Sequence, residues 1–361
     1  MASDSESIDD RLPTAVQGVL TTYLAAKRAG LTAAEPSAGA AVDALADFVL
    51  GGGKRIRPTF AWWGWRGAGG DAADETVVTA ISALELIQGC ALVHDDLMDD
   101  SALRRGKPTV HVDFAARHRA SGWHGDPDKF GAAAAILIGD LALAWADDLF
   151  TEAGLTAAQL LAAGPAWRDM RAEMLAGQYL DVLTQSDGGA ELPPAEAALR
   201  VARLKTAAYT VERPLHLGAA LAGADEPTIG ALRAFGGDIG VAFQLRDDLL
   251  GMFGDTAVTG KPAGDDLREG KRTLLIAVAV EKGGPAEIEL IHDALGNPKL
   301  TADDLDRVRD ALVDLGAVAE VEARIERLTG TALQALASAE LAEPAGDRLA
   351  ALADAATRRS Y

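Results

Sequence analysis

The chain has 361 residues, of which 49% are hydrophobic and 24% charged, and its formal net charge is −20. This composition is typical of a soluble globular protein, and the acidic balance excludes binding to nucleic acid or anionic membranes through overall charge. The single cysteine, Cys90, excludes an intramolecular disulfide and fits a reducing compartment.

The N-terminal residues, "MASDSESIDD", are acidic and lack the features of a secretory signal. We therefore expect a cytoplasmic protein in which residues 1–12 form a flexible tail. The rest of the chain is rich in alanine, leucine, glutamate and arginine, and alternating runs of β-branched residues are scarce. This pattern predicts an all-α protein in which residues 13–361 form a single helical domain.

Glycine and proline clusters separate the predicted helices. They lie at 67–70, 121–127, 186–194 and 296–298. Thr301 is predicted to be a helix N-cap in the C-terminal region. The longest apolar stretch, Gly131–Ala146, is interrupted by Asp140, so it predicts a buried core helix rather than a membrane span. The tryptophan-rich segment "WWGW" at 62–65 is predicted to lie in the core.

The segment "GGGKRIRP" at 51–58 places Lys54, Arg55 and Arg57 directly after three glycines. It is not a nucleotide-binding P-loop, because Lys54 is followed by arginine rather than Ser or Thr and the required upstream glycine is missing. Lysine and arginine are common ligands of phosphate oxygens, so this segment is a candidate anion site.

The segment "ALVHDDLMDD" at 91–100 ends a long apolar helical pattern with four aspartates. Residues three and four apart share a helix face, so Asp95, Asp96 and Asp99 are neighbours. Carboxylates placed in this way raise each other's pKa, so they form either a solvated helix end or a site that divalent cations neutralise. Oxygen ligands without paired cysteines favour Mg²⁺, which takes further ligands from water and phosphate.

A second acidic cluster ends the apolar segment "VAFQLRDDLLGMFGD" at 241–255. Asp247 and Asp248 are adjacent, Gln244 lies one turn before them, and Asp255 lies two turns after Asp247. Two Asp pairs, each at the end of an apolar helix, can face each other across a cavity. They would then hold several Mg²⁺ ions around one polyanion.

Further groups that bind phosphate are spread along the chain, although each alone is more typical of a surface charge. They are Arg104, Arg105, Lys205 with the hydroxyl of Thr206, Lys261 and Lys271. Together with the two acidic clusters, they indicate a site for metal-bound phosphates.

Five motifs occur in a fixed order between residues 51 and 273: "GGGKRIRP", "LVHDDLMDDSALRRGKPTVH", "KTAAY", "FQLRDDLLGMFGD" and "GKPAGDDLREGKRT". In these motifs the chain resembles the trans-isoprenyl diphosphate synthases, the polyprenyl synthetase family that includes farnesyl and geranylgeranyl diphosphate synthases. The resemblance implies a single large helical bundle of the isoprenoid synthase type with a central apolar cavity. It also implies a cytoplasmic homodimer, with no membrane span and no nucleic-acid partner, that condenses isopentenyl diphosphate with allylic diphosphates.

The resemblance implies roles for individual residues. Mg²⁺, at about three ions per active site and replaceable by Mn²⁺, would bind Asp95, Asp96, Asp99, Asp247 and Asp248. The diphosphate of isopentenyl diphosphate would be held by Lys54, Arg57, Gln88 and Arg105. The allylic diphosphate would be surrounded by Arg104, Lys205, Thr206, Gln244, Lys261 and Lys271. The catalytic groups would be the five aspartates together with Lys205 and Lys261. Supporting or packing roles are expected for Arg55, His94 and Asp100.

The second acidic motif departs from the family pattern, because Gly251 stands at its third position in place of an aspartate. We expect water to fill this place and a Gly251→Asp variant to be tolerated. The spacing of Asp247, Gly251 and Asp255 is also similar to a metal motif of class I terpene cyclases, which are the main alternative. The cations of "GGGKRIRP" and Arg105 favour a synthase, because a cyclase binds only one diphosphate. A non-catalytic regulatory subunit is a further alternative, but members of that kind have lost acidic motifs.

Product length is predicted from the helix that precedes Asp95. In this family the product grows along that helix, and short-chain members often carry an aromatic residue four or five positions before the first aspartate. Here those positions are Ala91 and Cys90, both small, whereas the next turn carries Ile87 and Leu84. One turn of about 5.4 Å accommodates roughly one isoprene unit. We therefore expect C20 geranylgeranyl diphosphate, with the C15 farnesyl or a longer-chain product as alternatives.

Overall fold

The protein is described by a computed structural model at residues 7–186, 195–254 and 263–358. Nearly all of these residues are helical, which confirms the all-α prediction. Within this part of the chain, the only strands are Leu103–Arg104 and Lys107–Pro108, which pair antiparallel.

The helices are numbered here in chain order over the described residues. The first eight are α1 (Ile8–Ala34), α2 (Gly39–Leu50), α3 (Ile56–Gly67), α4 (Glu75–Met98), α5 (Val110–Ser121), α6 (Pro127–Glu152), α7 (Ala157–Ser186) and α8 (Ala195–Val201). A π-helical segment (Ala202–Glu212) follows α8 directly, and a 3₁₀ turn (Pro36–Ala38) precedes α2. The others are α9 (Arg213–Leu221), α10 (Glu226–Phe253), α11 (Asp265–Arg268), α12 (Leu274–Lys282), α13 (Pro285–Ala294), α14 (Ala302–Asp314), α15 (Ala317–Ala337) and α16 (Ala345–Thr357).

The first helix begins earlier than the sequence suggested. The hydroxyl of Ser7 accepts a hydrogen bond from the backbone N–H of Asp9 and caps the helix. The side chains of Ile8 and Leu12 are only 4% and 2% exposed, and Asp9 accepts a hydrogen bond of 2.8 Å from Trp62 Nε1. The predicted tail of residues 1–12 is therefore wrong for residues 8–12, because their apolar side chains begin the buried stripe of α1.

The loops predicted at 67–70, 121–127 and 296–298 lie between helices, as expected, whereas residues 187–194 lie outside the described residues. Thr301 caps α14 as predicted. Its hydroxyl accepts from the backbone N–H of Asp304, and the Asp304 carboxylate accepts from the backbone N–H of Thr301, each at 3.2 Å. This reciprocal pair is a capping box.

Buried apolar side chains form two clusters, and α10 contributes to both. Its first half adds Phe235 and Ile239 to the larger cluster around α1 to α7, whereas its second half adds Leu249 to a cluster of C-terminal helices. The "WWGW" tryptophans belong to the larger cluster and are at most 7% exposed, which confirms their predicted core position. Helix α10 therefore connects the two clusters and presents its acidic C-terminal end between them.

Two helices, α4 and α6, are long and apolar enough to cross a bilayer by length and composition alone. Of their most apolar windows, 72% is buried inside the protein for α4 and 39% for α6. Helix α4 is thus a core helix, packed along α6. The prediction that Gly131–Ala146 is a buried helix holds for one face of α6 only, since Ile136 and Leu137 on the other face are 48% and 67% exposed.

Candidate active site

A cavity of about 850 Å³ lies where α3, α4, α7, the π-helical segment and α10 meet. Among the sequence-predicted residues, those that line it are Lys54, Arg57, Gln88, Cys90, Ala91, Asp95, Arg104, Lys205, Thr206, Gln244, Asp247, Asp248 and Lys271. Four others do not line it, namely Ile87, Asp96, Asp99 and Arg105. Lys261 and Asp255 lie outside the described residues.

The π-helical segment carries Lys205 and Thr206 into the cavity, and two glycines let it approach its neighbours closely. A Cβ at Gly177 of α7 would overlap the backbone nitrogen of Lys205, and a Cβ at Gly240 of α10 would lie 2.5 Å from the Cα of Ala207. The wide turns therefore fit between α7 and α10 only because both facing positions lack side chains. Such segments are rare and occur often at functional sites.

Asp95, at the C-terminal end of α4, is the carboxylate of the first motif that lines the cavity. Its Oδ1 lies 2.9 Å from Lys205 Nζ, and its Oδ2 lies 3.4 Å from a guanidinium nitrogen of Arg104, Nη2. Burial raises the pKa of Asp95, but the nearby charges of Lys205 and Lys271 outweigh it and hold that pKa well below its usual range. The carboxylate is therefore charged before any metal ion binds.

Asp96 is turned away from the cavity and is only 1% exposed. Arg104 Nε donates to both of its oxygens, at 2.7 and 2.8 Å. Arg104 is thus already engaged by Asp96, although it was predicted to bind the allylic diphosphate. In this arrangement Asp96 fixes the position of Arg104, and the two groups form an ion pair beside Asp95.

Asp99 lies one turn beyond Asp95 and contacts Lys271 Nζ at 3.1 Å. Burial, together with the negative charge of Asp95, raises the pKa of Asp99 to about 6. The raised pKa predicted from repulsion between the aspartates is therefore found for Asp99 but not for Asp95. The next acid, Asp100, is exposed and has a positive φ of 51°, so it ends the helix rather than facing the site.

The second motif is linked to the π-helical segment by a short hydrogen-bonded chain. The Thr206 hydroxyl donates to Gln244 Oε1 at 2.6 Å, and Gln244 Nε2 donates to Asp248 Oδ1 at 2.7 Å. Burial and the negative charge of Asp266 raise the pKa of Asp248 well above its usual value. The amide of Gln244 therefore orients Asp248, and both of its polar atoms already have hydrogen-bond partners within the protein.

A separate group of cations lies at the start of α3. Lys54 is exposed and lines the cavity. Arg57 is 7% exposed, donates to the Thr210 hydroxyl at 2.8 Å, and lies 4.0 Å over the ring of Tyr209. Arg57 Nε has no hydrogen-bond partner among the described residues. A buried donor without a partner is costly, so it is suited to an anionic ligand.

Arg55 and Arg105 tie the glycine loop to the rest of the protein. Arg55 points into the core, where it donates to Glu85 at 2.5 Å, to the carbonyl of Val49 at 2.9 Å, and to Gln17. Arg105 donates to the carbonyl of Gly52 at 2.7 Å. The structure agrees with the supporting role expected for Arg55, and it places Arg105 on the loop backbone outside the cavity.

Sequence reasoning missed three acids that line the cavity, Asp181, Asp265 and Asp266. Asp181 of α7 is 7% exposed and accepts from Lys205 Nζ at 2.5 Å, so Lys205 lies between two carboxylates. Asp266 of α11 lies 3.4 Å from Lys271 Nζ. Asp181 is a single acid in a helix and carries no motif signal. Asp265 and Asp266 belong to "GKPAGDDLREGKRT", in which only the lysines were predicted to bind a ligand.

No group of three or more His, Cys, Asp or Glu side chains is arranged to hold a metal ion within the described ranges. The side chains nonetheless fit Mg²⁺, since Asp95 on one side and Asp247 with Asp248 on the other present carboxylate oxygens to the same cavity. Mg²⁺ typically takes one or two carboxylates and fills its remaining positions with water and substrate phosphate. The first rim offers one carboxylate, Asp95, and the second rim offers two, Asp247 and Asp248.

The apolar wall of the cavity includes Cys90 and Ala91, whereas Ile87, one turn deeper on α4, is fully buried outside it. His94 also lines the cavity, and its Nε2 lies 3.1 Å from the carbonyl oxygen of Ile136. This contact agrees with the packing and hydrogen-bonding role expected for His94. The cavity thus reaches the two small positions that were predicted to set product length.

Comparison with known proteins by family model, by sequence and by structure identifies the same group of similar proteins each time. The polyprenyl synthetase family model matches residues 40–312. A geranylgeranyl diphosphate synthase from Mycobacterium tuberculosis is 37% identical over 275 residues, which cover 75% of this chain and 71% of that protein. A geranylfarnesyl diphosphate synthase from Aeropyrum pernix is 34% identical over 279 residues, which cover 76% of this chain and 80% of that protein. A crystal structure of geranylgeranyl pyrophosphate synthase from Corynebacterium glutamicum, complexed with isoprenyl diphosphate and magnesium, has a TM-score of 0.92 and 45% identity, and it covers 97% of this chain and 99% of that chain.

Proposed function

The chain belongs to the polyprenyl synthetase family, and we propose that it is a Mg²⁺-dependent trans-prenyltransferase that makes all-trans geranylgeranyl diphosphate. In this reaction it condenses isopentenyl diphosphate with allylic diphosphates and releases diphosphate. The observation that carries the proposal is one cavity of about 850 Å³ that joins two acidic rims and two separate groups of cations to an apolar wall.

The two groups of cations support two diphosphates in one cavity. Lys205 and Lys271 lie among the carboxylates of the acidic rims, whereas Lys54 and Arg57 approach from α3. A single diphosphate does not need both groups, so this separation favours a condensing enzyme over a cyclase. Asp95, charged and open to the cavity, favours an enzyme over a regulatory subunit.

The allylic diphosphate would be held by Lys205 and Lys271, whose pKa values are raised despite burial by the carboxylates around them. Both side chains therefore stay fully charged and stabilise the negative charge that develops on the leaving group. Mg²⁺ bound by Asp95, Asp247 and Asp248 would add further charge stabilisation at the leaving diphosphate. Asp96 would instead hold Arg104 in position, since both of its oxygens accept hydrogen bonds from Arg104 Nε.

Bond changes in the proposed reaction balance without a further reactant. The allylic C–O bond breaks heterolytically, the alkene of isopentenyl diphosphate attacks the resulting carbocation, and a proton passes to the released diphosphate. Apolar groups around the growing chain, including Ala91, Leu92 and Phe243, exclude water that would otherwise trap the cation. Arg57, with its unpartnered Nε, would hold the second diphosphate in reach of the reacting carbon.

The C20 product is supported by the small residues Cys90 and Ala91 in the cavity wall and by the bulky Ile87 buried below them. The similar proteins include both geranylgeranyl and geranylfarnesyl diphosphate synthases, so family membership alone leaves the length open. The test is chromatography of dephosphorylated products after incubation with isopentenyl diphosphate and geranyl diphosphate. Geranylgeraniol as the main alcohol would support the proposal, and a C15 or C25 main product would contradict it.

The proposed enzyme is a cytoplasmic homodimer. Exposed apolar side chains support this assembly, and they include Ile136 and Leu137 on α6, which are 48% and 67% exposed, and Tyr179 and Leu183 on α7, which are 67% and 47% exposed. Large exposed apolar side chains are typical of interaction sites where they lie together. Light scattering coupled to gel filtration should give a dimer for the wild type and a monomer for Leu137→Asp. A monomeric wild type would refute the assembly.

A further inference from the structure

The second acidic motif lacks its third carboxylate because position 251 is glycine, and we propose that Asp266 supplies this carboxylate from the following helix, α11. The acidic rim would then consist of Asp247, Asp248 and Asp266, and Asp266 would hold the Mg²⁺ of this rim directly or through a bound water. This inference rests on the proposed function, since it concerns the metal sites of the same cavity.

Contact between Gly251 and Asp266 is the first observation. A Cβ added at Gly251 would overlap Asp266 Oδ2 and would lie 3.3 Å from its Cγ. The Asp266 carboxylate therefore occupies the space directly above the Cα of residue 251, where a third motif side chain would begin. Gly251 lies within helix α10 and has no positive φ, so the close approach of Asp266, rather than a special backbone conformation, accounts for glycine at this position.

The backbone fixes this approach. The N–H of Gly264 donates to the carbonyl of Gly251 at 2.9 Å, which joins the start of α11 to the end of α10. Gly264 has a φ of 78°, a left-handed conformation that favours glycine. Its turn directs Asp266 back towards Gly251, and the N–H of Lys271 donates to the carbonyl of Asp266 at 2.9 Å on the other side. Asp266 is thus held by two backbone contacts around it rather than placed by a free loop.

The carboxylates at this rim suit a divalent cation. Asp247, Asp248 and Asp266 all line the cavity. Lys271 lies 3.4 Å from Asp266, but the same ammonium also contacts Asp99 and Glu269, at 3.1 and 2.6 Å. Lys271 is thus shared among three acids, and carboxylate oxygens gathered at one rim are the ligands that Mg²⁺ takes in proteins.

Two predictions made from the sequence change as a consequence. No water is expected in the space beside residue 251, and the Gly251→Asp variant is no longer expected to be tolerated. The space is filled by Asp266 Oδ2. A new side chain at residue 251 has to push the Asp266 carboxylate aside and, as aspartate, adds a second like charge beside it. The same change should be harmless once Asp266 has been removed, because the space beside residue 251 then holds a single carboxylate again.

The experiment is a Mg²⁺ titration of the thermal unfolding midpoint with inorganic pyrophosphate present and no prenyl substrate. Asp266→Ala and Asp266→Asn should raise the Mg²⁺ concentration for half-maximal stabilisation by about 10- to 100-fold, the range found when groups supporting a metal site are lost. Gly251→Asp should weaken binding in the same direction, and Gly251→Asp/Asp266→Ala should recover towards the wild-type value.

Two controls match these changes. Gly230→Asp adds the same side chain on the same helix, where a Cβ meets nothing within 4 Å, and serves as the control for Gly251→Asp. Asp293→Ala removes one carboxylate from the exposed face of α13 and controls for net charge. Both should leave the Mg²⁺ midpoint unchanged. Far-UV circular dichroism without Mg²⁺ checks the fold of each variant, and Asp266→Asn preserves side-chain shape if Asp266→Ala does not fold.

The outcomes separate this inference from the proposed function. If the wild type condenses its substrates but Asp266→Asn has a wild-type Mg²⁺ midpoint, the inference is overturned and the proposed function stands. The same follows if the double variant binds Mg²⁺ more weakly than either single variant. If the Mg²⁺ midpoints behave as expected but the wild type forms no prenyl product, the rim assignment is supported and the proposed function fails.

Discussion

Substitution of Ala91 by phenylalanine should shorten the main product from C20 to C15. Ala91 lines the cavity on α4, next to Cys90, and one turn closer to the acidic rim than the buried Ile87. An aromatic ring at this position fills the space of about one helical turn, 5.4 Å, which accommodates roughly one isoprene unit. Cys90→Phe should act in the same direction because its side chain lines the same wall.

The opposite change should lengthen the product. Ile87 is 0% exposed and closes the core beneath the cavity, so Ile87→Ala removes three carbon atoms from the floor. We expect a C25 product to appear, since one more turn becomes available. Such a truncation costs about 2–5 kcal/mol of stability, a large part of the roughly 5–15 kcal/mol typical of proteins. Product analysis should therefore be run well below the measured unfolding midpoint of this variant.

Chromatography of dephosphorylated products from each variant, with isopentenyl and farnesyl diphosphates and then with geranyl diphosphate, gives the distribution of lengths. Ala116→Phe is the matched control, because it adds the same ring on an exposed part of α5 away from the cavity. Its product should stay C20. An unchanged distribution in Ala91→Phe and Cys90→Phe, with activity retained, would show that the floor lies elsewhere and would refute this reasoning.

Three further predictions follow from the ion pairs of the structure. Asp95→Ala should lower turnover by orders of magnitude with an intact circular dichroism spectrum, and near-normal turnover would remove Asp95 from the metal rim. Arg55→Met should cost about 3–5 kcal/mol in denaturant unfolding because it leaves Glu85 buried without its partner, whereas Arg55→Met/Glu85→Leu should lie near the wild type; equal stability of all three proteins would contradict this. Burial and the charge of Arg213 lower the pKa of His216 to about 4, so the folded state binds fewer protons than the unfolded state between pH 6.5 and 4. Stability should fall as the pH drops through this window, and His216→Gln should lose that part of the pH dependence; an unchanged profile would refute it.

Much of the architecture follows from local sequence signals. Glycine and proline clusters mark loops because they interrupt the helical pattern, and Thr301 with Asp304 caps a helix through contacts within four residues. Such local interactions are visible in one segment of sequence. The prediction of a tail over residues 8–12 was wrong because these residues are ordered by contacts that are not local. The burial of Ile8 and Leu12 depends on packing against distant helices, which the acidic N-terminal composition does not reveal.

Tertiary contacts decide the rest of the site. The π-helical segment forms because Gly177 and Gly240, far away in sequence, leave room for its wide turns. Repulsion within the first motif suggested raised pKa values, but Lys205 reverses the direction at Asp95 while Asp99 keeps it. These opposite shifts depend on which cation folds beside which acid, and spacing along α4 carries no such information.

The most direct test of the central claim is release of diphosphate from farnesyl diphosphate in the presence of Mg²⁺, measured with and without isopentenyl diphosphate. A cavity built for two diphosphates predicts rapid release only when isopentenyl diphosphate is present, with one diphosphate released for each new C–C bond. Equal release without isopentenyl diphosphate would indicate a cyclase or a hydrolase. No release under either condition would indicate a non-catalytic subunit, and either result would contradict the proposed condensation.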